Sequence, residues 1–174
     1  MELKPKQIRL SNGDRIWLLV GPDGVPHFDS TVFLVGLYQE RKSPNTLRNV
    51  ANALRVVNRF EAKLGISIKK NIQKGQILTR YQTGKLVAEC GLSLKSDDEQ
   101  RAEKRQKVVP FRKQKVTEDP LRVKPNTQRI RSYYIGRYIA GLVERETESI
   151  RCAKQLSKSR CGLTAGRTNS MSLV

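Results

Sequence analysis

Arg48, Asn52, Arg55 and Arg59 recur at three- and four-residue intervals, the spacing that gathers side chains on one face of a helix. Three guanidinium groups in one row suit a polyanion rather than a small neutral ligand. A second, weaker set follows later as Arg129, Tyr133 and Arg137, with Ser132 and Gly136 beside it; small residues there let a backbone approach a partner closely. Each set begins at a similar hexamer sharing Pro-Asn-Thr-x-Arg, Ser43-Pro44-Asn45-Thr46-Leu47-Arg48 and Lys124-Pro125-Asn126-Thr127-Gln128-Arg129. Pro with Asn or Thr is what helix starts prefer, and free backbone N–H groups at such starts hold phosphates. Lys42, Ser43, Thr46, Lys124 and Thr127 therefore join the candidate surface. A third concentration, Arg101, Lys104, Arg105, Lys107, Arg112, Lys113 and Lys115, sets seven bases against the single acid Glu103 and reads as a phosphate-contacting arm.

The whole chain supports that reading. Its 174 residues carry 34 Lys and Arg against 16 Asp and Glu, a formal net charge of +18. The hydrophobic share of 37% predicts a modest core, enough for one ordinary domain with basic appendages. The longest apolar runs, Ile16 to Val20 and Val32 to Leu37, fall far short of the roughly 20 residues that span a bilayer. No secretory signal follows Met1 to Gln7, so an intracellular protein is expected, with a polyanion as partner and neither a membrane nor a small-molecule substrate.

Other chemistry finds little support. Cys90, Cys152 and Cys161 form no CxxC pair, their odd number argues against a disulfide framework, and one histidine leaves no familiar zinc spacing. No metal and no cofactor are expected. His27, beside Pro26, has no nucleophile or carboxylate near it in sequence and reads as a surface loop residue.

These residues need elements to position them. Asn12-Gly13 and Asp23-Gly24 supply the positive φ angles of tight turns, so residues 7–28 read as a hairpin whose Trp17 and Leu19 pack on the helices that follow. Asp29 or Ser30 caps a first helix to about Lys42, with Phe33, Leu34, Leu37 and Tyr38 along one side. Pro44 then forces a break, and Thr46 opens a second helix that Gly65 stops, its Leu47, Val50, Leu54, Val57 and Leu64 opposite the basic row. Residues 66–76 read as basic loop. Thr79 and Gln82 form a capping box for a third helix whose stripe is Leu78, Leu86, Val87 and Cys90. After a polar insertion at 95–124, Asn126 or Thr127 caps a fourth helix to about Glu146. Ile130, Tyr134, Tyr138 and Leu142 mark its apolar side, although Arg131 and Arg145 fall near it. Residues 150–174 read as a mobile basic tail. The predicted fold is mainly α, a four-helix bundle over 29–149 behind an N-terminal hairpin extension at 1–28.

The run Thr31 to Ile66, TVFLVGLYQERKSPNTLRNVANALRVVNRFEAKLGI, and the later PNTQRIRSYYIGRYI resemble the N-terminal core-binding domain of tyrosine recombinases, the phage integrase family, over roughly Thr31 to Glu146. The likeness lies in the order and spacing of degenerate motifs: a Phe-Leu-x-x-Leu-like helix, a Ser-x-x-Thr helix start, and a Phe-x-x-x-Leu-Gly-like end. It implies a SAM-like bundle that clamps duplex DNA in site-specific recombination and integration, with its second and fourth helices at the major groove. By position, Arg48, Asn52, Arg55 and Arg59 then become groove or phosphate contacts, and Arg129, Tyr133 and Arg137 their counterparts. Arg bridges guanine O6 and N7, and Asn pairs with adenine. The resemblance does not extend to catalysis. The family's separate catalytic domain supplies a His-x-x-Arg motif, and His27 has Ser30 where that Arg would fall; Tyr134 and Tyr138 suit a core better than a nucleophile. The resemblance implies a non-enzymatic DNA-binding part of an integrase, cytoplasmic and nucleoid-associated in a bacterial or phage setting, with double-stranded DNA as partner and able to associate with other recombinase protomers. The alternatives are a cationic RNA or nucleic-acid binder working through the 101–115 arm, and an antagonist that occupies a recombinase's sites.

Overall fold

The computed structural model describes residues 3–94 and 122–164, with side chains up to residue 153. The seven arm residues from Arg101 to Lys115 lie outside the described residues. The chain is mainly helical, with one two-stranded antiparallel sheet at its N-terminus.

Strands β1 (Lys4–Arg9) and β2 (Arg15–Val20) pair in register from Lys4 opposite Val20 to Arg9 opposite Arg15. Gly13, at φ 87°, supplies the left-handed step in the connecting turn. The turn is further fixed by Asn12 Oδ1, which accepts from the Asp14 N–H at 3.0 Å. Leu19 is fully buried and Trp17 half-buried against the helices, as their apolar character predicts.

Helix α1 spans Phe28–Gln39. Its cap is His27 rather than Asp29 or Ser30: His27 Nδ1 accepts from the Ser30 N–H at 3.3 Å, while Asp29 and Ser30 turn inward and are buried. The imidazole must be neutral to accept that bond, and burial holds its pKa below the usual value. His27 therefore contributes stability that is fully present above about pH 6.5 and fades as pH falls toward its lowered folded pKa. A His27→Asn variant, whose amide caps at any pH, is expected to flatten this acid-side loss in thermal melts recorded between pH 7 and 5.

Helix α2 spans Pro44–Leu64. The expected break separates α1 from α2 at residues 40–43, but the helix opens earlier than Thr46: Pro44 is the first helical residue, where its preset φ and missing N–H carry no penalty, and Ser43 is the cap. Gly65 stops the helix at φ 61°. Leu47, Val50, Ala51, Ala53, Leu54, Val56, Val57 and Phe60 are all buried, so α2 is the central rod on which the hairpin and the other long helices pack. Residues 66–76 are not all loop: Ser67 caps a single-turn helix α3 (Ile68–Gln73), which exists because Ile68 plugs the core while Glu61 Oε1 accepts its N–H at 2.7 Å.

Helix α4 spans Arg80–Cys90 and has the full Thr79–Gln82 capping box. Leu86 and Cys90 are buried, whereas Val87 faces outward at 46% exposure, so the inner stripe is narrower than the sequence suggests. Helix α5 spans Pro125–Thr164, well past Glu146 and through most of the segment read as tail. It starts at Pro125, with the Lys124 carbonyl accepting from the Gln128 N–H at 3.2 Å, so neither Asn126 nor Thr127 is its cap. Its buried stripe is Arg131, Ile135, Tyr138 and Leu142, one residue out of phase with the expected Ile130 and Tyr134.

Tyr138 packs edge-on against Phe33 with ring centroids 5.5 Å apart, and burial raises its hydroxyl pKa to about 12. The folded state therefore prefers the neutral phenol. Stability is intact below the free phenol pKa of about 10 and is lost as pH rises from there to about 12. Tyr138→Phe is expected to lose about 2–3 kcal/mol less stability than the parent protein across that window.

Candidate nucleic-acid interface

The predicted row on α2 divides at its middle. Arg48 is exposed, its guanidinium 5.5 Å from the centroid of the Trp17 ring on β2, a cation–π seat that leaves its donors toward solvent. Asn52 is half-buried one turn on. Arg55 is also half-buried and already has a partner within the chain. Arg59 is spent on structure: Nη1 donates to the Ser93 carbonyl at 2.8 Å, and Nε lies 3.1 Å from Glu89 Oε2. Glu89 also holds Lys63 Nζ at 2.6 Å, so one carboxylate ties α2 to the end of α4. Arg59, expected on the DNA-facing row, is thus held by partners within the chain.

The row on α5 divides in the same way. Arg129 and Tyr133 are exposed, Tyr133 at 59% with its ring edge-on to Tyr134, centroids 5.1 Å apart. Arg137 instead reaches across to the end of α1 and pairs with Glu40, Nη2 to Oε1 at 2.8 Å. That bond holds the Glu40 carboxyl below its ordinary pKa. Arg131, which sequence reasoning left outside the site, sits beneath both rows with Nη1 donating to the Cys90 carbonyl at 3.1 Å and the Leu92 carbonyl at 2.7 Å. Burial lowers its pKa, with Arg59 and Arg55 nearby adding to the effect. Its position beside the apolar stripe of α5 was the signal that could have found it.

The helix starts are partly committed. Ser43 Oγ accepts from the Thr46 N–H at 3.2 Å and lies 3.0 Å from Thr46 Oγ1, so both hydroxyls serve the cap. Lys42 is exposed and 3.9 Å from Glu40 Oε2, a loose contact since Glu40 already serves Arg137. Lys124 is exposed and Thr127 half-buried.

The acids are not distributed like the bases. Asp29 is buried, with Lys69 Nζ 3.1 Å from Oδ2 and Arg145 Nη2 3.6 Å from Oδ1; Glu146 joins Lys69 at 3.5 Å and accepts from Gln73 at 2.8 Å. Together with Glu40 and Glu89, they are absorbed into contacts between elements. Arg48, Lys124 and Arg129 have no ion pair among the described residues. Exposed cations without an internal counter-charge therefore stand at the starts of both long helices. Among the described residues no group of three or more His, Cys, Asp or Glu side chains is placed to hold a metal ion, and no helix is long and apolar enough to cross a membrane. Comparison with protein-family models, with curated proteins and with solved structures gives no match to this chain.

Proposed function

We propose that this chain binds duplex DNA as a non-enzymatic, integrase-type core-binding unit, its long helices forming the SAM-like bundle that the sequence resembles. The observation that carries the reading is the division of charge. Asp29, Glu40, Glu89 and Glu146 are engaged in contacts between elements, while Lys42, Arg48, Lys124 and Arg129 stay exposed at the starts of the two helices that the resemblance assigns to the groove. The first half of α2 and the outer face of α5 then meet the duplex, with Asn52 at the margin. Arg59, Arg131 and Arg137 keep the helices in place behind that surface. Other protomers of a recombinase assembly on the same DNA are the expected protein partners.

Selection of bound duplexes from a randomised pool at near-physiological salt tests the reading. Salt matters because phosphate contacts alone give tight binding at low ionic strength. Enrichment of a half-site motif is the expected result. Binding without enrichment leaves only a cationic nucleic-acid binder, and preference for RNA in a parallel selection overturns the duplex assignment.

A further inference from the structure

A groove of about 530 Å³ lies between the hairpin and the α1–α2 turn, lined by Asp14, Arg15, Tyr38, Gln39, Arg41, Lys42, Ser43 and Pro44. Three of its side chains are cations and one is an acid. The acid offsets one of the three and is turned to the fold: Asp14 Oδ2 accepts from the Tyr38 hydroxyl at 2.5 Å and from Asn12 Nδ2 at 2.9 Å, which also fastens the hairpin turn to α1. Across the hairpin, Arg15 pairs in register with Arg9, two like charges directly opposite one another, an arrangement that costs stability by itself. Among the described residues no carboxylate is ion-paired with Arg9, Arg15 or Arg41. The Thr46 N–H at the start of α2 is taken by Ser43, so the positive potential of the groove comes from its side chains.

We infer that this groove is a phosphate grip: Arg15, Arg41 and Lys42 hold a backbone phosphodiester of the bound nucleic acid, so that the hairpin takes part in binding alongside α2 and α5. The inference rests on the nucleic-acid reading above and adds to it a site built from β2 and the α1–α2 turn. Phosphate contacts position a protein without reading sequence, and each contributes about 0.9 to the slope of log affinity against log salt.

The test combines two measurements on the full chain. The first is the salt dependence of affinity for a fixed duplex in the parent protein, in Arg15→Gln with Arg41→Gln, and in Arg15→Lys with Arg41→Lys. The glutamine variant is expected to bind several-fold more weakly to every duplex sequence, with a slope shallower by up to about 0.9, while the lysine variant keeps the slope. Its melting temperature is expected to equal or exceed that of the parent, since Arg15→Gln relieves the Arg9 repulsion. The second measurement is titration of inorganic phosphate against backbone amide resonances, with shifts expected at Arg15, Arg41 and Lys42 that vanish in the glutamine variant. Duplex binding with an unchanged slope overturns the grip and leaves the duplex reading intact. If the parent binds no duplex, the functional reading fails, and phosphate-induced shifts alone decide whether an anion site remains.

Discussion

Arg131→Ala is expected to destabilise the fold by about 3 kcal/mol in urea unfolding, more than any other charged-to-alanine change on α5. Arg131 is 9% exposed, and its Nη1 donates to two carbonyls, Cys90 at the end of α4 and Leu92 just beyond it. Those carbonyls belong to the last turn of a helix and its exit, where no intrahelical N–H is available. Leaving a buried acceptor unmet costs about 1–3 kcal/mol, and loss of the long stem adds a packing term. Arg131→Met separates the two effects: it keeps most of the stem, so about 1–2 kcal/mol of loss should remain from the carbonyls alone. Below its unfolding range, Arg131→Met is expected to bind duplex with parental affinity. An Arg131→Ala protein as stable as the parent would show that the α4–α5 joint does not depend on this side chain.

The second large effect concerns affinity. Arg48→Ala combined with Arg129→Ala is expected to weaken binding to a selected half-site by about thirtyfold or more, because a bidentate base contact is worth on the order of 1–3 kcal/mol. Both side chains are exposed, so the fold should persist, with the melting temperature lowered by no more than a few degrees through loss of the Arg48–Trp17 contact. Arg59→Ala should do the opposite. It removes the guanidinium that joins α2 to Glu89 and Ser93, so stability falls while the affinity of the folded protein holds. If the double variant bound every duplex as the parent does, the exposed ends of α2 and α5 would not be the interface.

Much of this architecture was legible from pattern. The apolar set Leu47, Val50, Leu54 and Val57 is buried as its spacing predicts, Gly65 stops α2, and Thr79 with Gln82 makes the expected capping box. Those features are local, fixed by neighbours within four residues. What pattern missed depended on distant partners. Arg131 looks misplaced until the carbonyls of Cys90 and Leu92, some forty residues earlier, arrive to meet it. Arg59 looks like part of a surface row until Glu89 and Ser93 cover it. His27 is unremarkable in sequence because histidine is an uncommon cap, and α3 is too short for any period to show. The Arg9–Arg15 pairing follows from the hairpin register, which a list of basic residues does not contain.

The length of α5 gives the molecule a rotational phase. At about 1.5 Å of rise per residue, the forty residues of Pro125–Thr164 make a rod of about 60 Å, and its contacts with Lys69 and Gln73 at Glu146 leave the remaining turns beyond that anchor. Because the backbone turns about 100° per residue, inserting a single residue after Glu146 swings everything beyond it to another side of the axis while displacing it by only about 1.5 Å. Inserting seven, close to two full turns, nearly restores the original heading at a shift of about 10 Å. Any part of the protein that must meet the duplex or a second protomer at a set angle beyond that point would respond to insertion length as an oscillation rather than as a steady decline.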